Sequence, residues 1–203
     1  PPKKNIVRFV KTNQFGRRLR DDLYNIIKEK IANGEIYTYP GENLDTKFKG
    51  LMASISDNVK FTVYRTKQNW DPNFGMLTTK DGTKITPVLK REVSSNDNDF
   101  DEVNAKMNEN TSEFEFYSLK DGKYWLVEGF VSKFQEKYEL FKEIYGNIDN
   151  KILLSFEIEN NRVSKVNGKP LTDSLIEVVN EKKATKFTIE KVDKVTKKAL
   201  PGA

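Results

Sequence analysis

Three side chains in this sequence of 203 residues could combine in one reaction: the amine of Lys11, the carboxyl of Glu128 and the carboxamide of Asn180. A lysine amine is a nucleophile only when neutral, and burial in an apolar core disfavours its charged form. Burial also favours the protonated form of a glutamate, which can then donate to an asparagine carbonyl. Held in contact, the amine attacks the carboxamide carbon, the bond to the side-chain nitrogen breaks, and ammonia leaves. Positioning supplies much of the barrier reduction. The product is an amide between two side chains of the same polypeptide. Composition closes off other routes. The chain has no cysteine, so disulfides, zinc–thiolate sites and thiol nucleophiles are excluded, and no histidine, which removes Ser-His-Asp and Cys-His catalysis. No cofactor and no metal are expected.

The reaction needs elements that aim all three groups at one point. Residues 5–12 read as a strand with Val7, Phe9 and Lys11 on one face, and residues 175–180 as another with Ile176, Val178 and Asn180 on one face. Residues 114–117 and 124–128, separated by Asp121-Gly122, read as a β-hairpin. Trp125 and Val127 are as apolar as Tyr124 and Leu126, so the pattern leaves open which face carries Glu128. Further strands are expected at 58–65, on either side of Asp81-Gly82, and at 153–158 and 162–166, the last followed by a turn at Asn167-Gly168. Leu19, Leu23, Ile26, Ile27 and Ile31 recur at helical spacing, with Asp21 and Asp22 in the first turn and Gly34 as a stop. Phe130, Phe134, Tyr138, Phe141 and Tyr145 fit a second helix or short strands. Residues 35–57 carry Pro40-Gly41 and Gly50 without a clear period, and 94–111 read as a polar loop. The chain is thus mainly β, and its short strands and regular turns suggest a sandwich or barrel.

In this order the three residues resemble the reactive set of the CnaB/SpaA-type isopeptide domain of Gram-positive pilins and adhesins. FVKTN at 9–13 is similar to the first strand of that family, which ends in a lysine before a polar turn. Gly122, Tyr124, Leu126 and Glu128 match its late G-x-Y-x-L-x-E pattern, and IEVVNEKK at 176–183 looks like its last strand, which ends in an asparagine before a basic linker. The resemblance covers roughly residues 5–16, 58–66 and 112–203. It implies an Ig-like, prealbumin-like β-sandwich with a helical insertion between the first two strands. It also implies a Lys11–Asn180 cross-link promoted by Glu128, made once and without turnover, so the chain is not expected to be an enzyme in the ordinary sense. The implied setting is a secreted, cell-wall-anchored surface protein or pilin. Its partners would be neighbouring domains of the same polypeptide and a host extracellular-matrix or cell-surface ligand.

Residues 189–193, IEKVD, echo residues 9–13. Residues 1–183 are therefore expected to be one domain, and 184–203 a linker plus the first strand of a following, truncated one. In that reading the chain is an excised fragment and Lys191 stays unpaired. Two stretches, about 18–57 and 67–111, exceed the usual short strand connections and read as insertions. They either cover the sheets or carry a ligand-binding surface, for which Tyr37, Tyr39, Trp70 and Phe74 are the candidates. The run Asp97, Asp99, Asp101 and Glu102 has alternating carboxylates but lacks the glycine and distant glutamate of an EF-hand.

Other readings remain open on the sequence. A carbohydrate-active enzyme or carbohydrate-binding module could use surface aromatics and carboxylates among Glu113, Glu115, Glu128, Glu157 and Glu159. A nucleic-acid binder is suggested by Arg17, Arg18 and Arg20. However, the 35 basic and 30 acidic residues are interspersed, a solvated surface rather than a binding stripe, so no nucleic-acid partner is expected. No stretch has the length and apolarity of a membrane span.

Overall fold

A computed structural model describes residues 5–66, 70–71, 76–78, 84–85, 100–131, 136–146 and 151–183. The chain opens with β1 (Ile6–Thr12), then α1 (Leu19–Ala32), α2 (Leu44–Asn58) and β2 (Val59–Thr66). The short β3 (Trp70–Asp71), β4 (Met76–Thr78) and β5 (Lys84–Ile85) form a small sheet of their own. They precede β6 (Phe100–Lys106), β7 (Glu113–Tyr117), β8 (Gly122–Phe130) and α3 (Glu136–Tyr145). The described part ends through β9 (Lys151–Glu159), β10 (Arg162–Val166), β11 (Lys169–Pro170) and β12 (Leu175–Val179). The fold is mainly β and has two principal sheets. One runs β12-β1-β7 and the other β11-β10-β9-β8-β2-β6.

The two sheets meet through aromatic rings. Phe9 of β1 lies 5.6 Å from Phe156 of β9, and Phe114 of β7 stacks on Phe61 of β2 at 3.8 Å. These rings are buried because each strand alternates: β1 turns Val7, Phe9 and Lys11 inward, and β12 turns Ile176 and Val178 inward. β1 and β12 are parallel neighbours in the register Phe9↔Ile176 and Lys11↔Val178. The first and last described strands therefore end side by side.

Helix α1 matches its expected span and stops as Gly34, at φ +75°, lets the Glu35 N–H reach the Lys30 carbonyl at 2.8 Å. Helix α2 falls in the stretch that read as turns. Asn43 caps it by accepting from the Thr46 N–H at 2.8 Å, and Phe48, Met52 and Ile55 form its buried stripe. Gly50 is tolerated inside that helix, with open space where a Cβ would stand. A helix also forms at 136–145 and carries Tyr138, Phe141 and Tyr145 of the aromatic spacing, whereas Phe130 ends β8 and Phe134 lies outside the described residues. Strand β6 occupies part of the expected polar loop. Among the described residues it is an edge strand paired to β2, a place where polar residues are suited to solvent.

One pairing differs from the sequence reading. β7 and β8 do not form a hairpin: β7 pairs with β1 in one sheet, and β8 lies between β2 and β9 in the other. Their link is drawn away at both ends. The Asn5 side chain donates to the Leu119 carbonyl at 2.6 Å and accepts from the Leu119 N–H at 3.0 Å. The Asp121 carboxylate accepts from the N–H groups of Asn160 and Asn161, each at 2.9 Å. Alternating burial names the faces of a strand and leaves its partner undetermined. The expected turns at Asp81-Gly82 and the segment 184–203, with Lys191, lie outside the described residues.

Candidate functional site

Lys11 is the last inward-facing residue of β1 and is fully buried. Its backbone N–H donates to the Ser112 carbonyl at 2.9 Å, so the strand is held on the β7 side as well as by β12. Asn180 stands one residue beyond β12, and its N–H donates to the Thr12 carbonyl at 2.8 Å. That bond continues the β1–β12 ladder by one step and keeps Asn180 in the inward row of Ile176 and Val178. Glu128 enters from the facing sheet. It is the cross-strand partner of Phe61 and is fully buried.

The three side chains meet in the space between the sheets. Lys11 Nζ donates to Asn180 Oδ1 at 2.7 Å. Glu128 Oε1 lies 3.7 Å from Lys11 Nζ and accepts from Asn180 Nδ2 at 3.5 Å. Phe61 lines the same space, its ring centroid 5.8 Å from Lys11 Nζ. The second carboxyl oxygen of Glu128 is buried with no hydrogen-bond partner among the described residues. Removing charged groups from water to such a place is costly, so the enclosure favours chemistry that leaves a neutral product. Asn180 turns its oxygen to the amine and its nitrogen to the carboxyl. Glu128 is thus nearest the leaving nitrogen, whereas the sequence reading had it donating to the carbonyl.

A second polar cluster adjoins the first. Asp22 of α1 is buried, accepts from the Tyr145 hydroxyl at 2.7 Å and lies 3.0 Å from Lys182 Nζ. Burial first, then the charge of Asp22, its hydrogen bond and the field of Glu128 push the Tyr145 hydroxyl well above the ordinary phenol range. On the sequence Asp22 reads as a first-turn helix acid, Tyr145 as one of the aromatics that fit a helix or short strands, and Lys182 as part of a basic linker. One signal was present: Asp22 falls beside Leu23 and one turn from Leu19 and Ile26, inside the apolar stripe.

The remaining candidates lie elsewhere. Tyr37 and Tyr39 are 67% and 66% exposed, with their rings edge to face at 5.3 Å. The Trp70 side chain, Phe74, Asp97 and Asp99, and the side chains of Asp101 and Glu102, lie outside the described residues. Glu113 pairs with Arg18 at 2.8 Å and Glu115 with Arg8 at 3.3 Å. Arg20 pairs with Asp21 at 3.2 Å, and Arg17 is exposed. Among the described residues there is no group of three or more potential metal ligands, and no helix is long and apolar enough to cross a membrane. Comparisons with family models, curated proteins and solved structures find no match to this chain.

Proposed function

We propose that this chain is a structural or adhesive module of a Gram-positive cell-wall-anchored surface protein or pilin, of the CnaB/SpaA type, stabilised by a self-made amide between Lys11 and Asn180. One observation carries the reading: an amine, a carboxamide and a carboxyl from three distant segments share one buried space, within 2.7–3.7 Å of each other. The neutral Lys11 amine attacks Asn180 Cγ. Glu128 Oε1, beside both nitrogens, relays a proton from the amine to Nδ2. The Cγ–Nδ2 bond breaks and ammonia departs, leaving an Nζ–Cγ amide. Enclosure keeps competing water from the carbonyl, and fixed geometry replaces a chance encounter.

The reading includes a prealbumin-like sandwich, into which the segment with α1 and α2 is inserted. The amide closes a loop whose ends are 169 positions apart, and loop-closure entropy then contributes on the order of 5 kcal/mol to stability. β1 and β12 are parallel neighbours. Tension entering through β1 and leaving after Asn180 crosses the amide and bypasses the sheets' hydrogen bonds. Such a role suits a load-bearing protein at the cell surface, joined to neighbouring domains of its own polypeptide. Intact-mass spectrometry tests the reading. The expected mass is below the sequence mass by one ammonia, and a wild-type chain at full sequence mass overturns the cross-link.

The exposed Tyr37–Tyr39 pair supports a second role, an aromatic platform of the inserted segment for a host glycan or protein ligand. A glycan and matrix-protein array compared with a Tyr37→Ala, Tyr39→Ala double variant tests it; equal binding by both chains removes it.

A further inference from the structure

The reaction demands that Asn180 be held to a fraction of an ångström, yet Asn180 lies past the last paired residue of its strand. The chain beyond it is held by the helices and by Gln14 of the turn between β1 and α1. Lys182 lies two positions beyond Asn180, and its Nζ sits 3.0 Å from Asp22 Oδ1 of α1. Asp22 Oδ2 accepts from the hydroxyl of Tyr145, the last residue of α3. The Lys182 N–H donates to Gln14 Oε1 at 2.9 Å, and the Lys183 N–H donates to the Ile144 carbonyl at 2.8 Å. Asp22 is itself tied to the lysine strand. Asn13 folds the intervening turn by accepting from the N–H groups of Phe15 and Arg17 at 2.9 and 3.0 Å, and Thr12 bridges to Arg18. One short, braced path therefore runs from Lys11 through Asp22 to Lys182 and back to Asn180.

We propose that Asp22, Tyr145 and Lys182 form a clamp that positions the Asn180 carboxamide against Lys11, so that the helical segment braces the reaction centre. This deepens the cross-linking reading and rests on it. Asp22 and Lys182 are positioning residues: neither touches the reacting atoms. An ion pair whose carboxylate is buried and whose lysine is one-third exposed (32%) suits this task, because the lysine is drawn down to a fixed anchor. The Tyr145 hydroxyl fixes the other carboxylate oxygen. A loosened clamp leaves the main-chain bonds at Asn180, Lys182 and Lys183 in place but removes the side-chain anchor between them, and the near-attack geometry is populated less often.

The test follows the cross-link in chains made by cell-free translation, quenched in acid at intervals and weighed intact. Lys182→Met and Asp22→Asn are expected to slow ammonia loss by about tenfold or more, Tyr145→Phe by a smaller factor, and Lys182→Arg to restore the wild-type rate. Thermal melts of the same substitutions in an Asn180→Ala background, which cannot cross-link, report on the fold alone. Slow cross-linking with melting temperatures near that of the background supports the clamp. Wild-type rates in Lys182→Met and Asp22→Asn overturn it and leave the cross-link standing. Melting temperatures that fall with the rates and are not separated from them by Lys182→Arg make the cluster a stability element and also overturn it. A wild-type chain at full mass overturns both readings.

Discussion

Asn180 continues the ladder that Thr12 ends: its N–H donates to the Thr12 carbonyl at 2.8 Å, immediately beside Lys11. This main-chain bond fixes the backbone from which the carboxamide projects, and the carboxamide oxygen accepts from Lys11 Nζ at 2.7 Å. The geometry separates the cross-link from the fold that prepares it. Asn180→Ala removes the electrophile and leaves Lys11 paired with Glu128. The variant is expected at its full sequence mass, with a native circular dichroism spectrum. Its stability should fall by about 5 kcal/mol, or roughly 10–20 °C in melting temperature for a chain of this size. An unchanged melting temperature would show that the loop closure is not what stabilises the native state.

Glu128 Oε1 is within reach of both the attacking and the leaving nitrogen. Glu128→Gln preserves shape but cannot carry the proton between them. Cross-linking is expected to slow by about 10²–10⁴-fold, the usual contribution of a positioned acid–base group. Freshly translated Glu128→Gln chain should therefore remain at full mass while wild-type chain completes the loss of ammonia. Equal rates would mean that the carboxyl is a bystander.

Mechanical unfolding gives an independent reading. Residues 12–179 lie inside the loop closed by Lys11 and Asn180, whose positions differ by 169. Stretched at 3.3–3.6 Å per residue, that loop hides on the order of 600 Å of chain. A single-molecule pull on wild type should release none of this length, whereas Asn180→Ala should release nearly all of it in one or a few steps. Full release from wild type would refute a covalent path.

Period-two patterning made Lys11 and Asn180 legible, since each continues a row of buried residues in the sequence: Val7 and Phe9 for one, Ile176 and Val178 for the other. Glu128 could not be assigned a face because Tyr124 through Glu128 are all buried. The strand has one side toward the β1 sheet, and α2 packs on its β2 neighbour, so alternation is erased. The partner change between β7 and β8 was hidden for a related reason: nothing in EFEFY distinguishes β1 from β8 as its neighbour. Helix α2 was obscured by Gly50 and by the preceding Pro40-Gly41, although Asn43 and the Phe48, Met52, Ile55 spacing were its signature. The clamp was hardest to see. Its members come from α1, α3 and the segment after β12, and only folding brings them together.

Alkaline stability isolates one member of that clamp. The Tyr145 hydroxyl is held well above the ordinary phenol range, first by burial and then by Asp22 and Glu128. A raised native value means that the folded state binds this proton more tightly than the unfolded chain does. The associated stability is fully present below the unfolded value and is lost as pH rises above it. Tyr145→Phe removes the group, and the lysines common to both chains cancel in a difference. The melting temperature of wild type minus that of Tyr145→Phe should therefore be flat from about pH 6 to 9 and shrink above about pH 10. Tyr117 is also raised, chiefly by its hydrogen bond to Glu115, but it is present in both chains. A difference that stays constant past pH 10 would mean that Tyr145 ionises as easily in the folded chain as in the unfolded one, and that its hydroxyl is not locked onto Asp22.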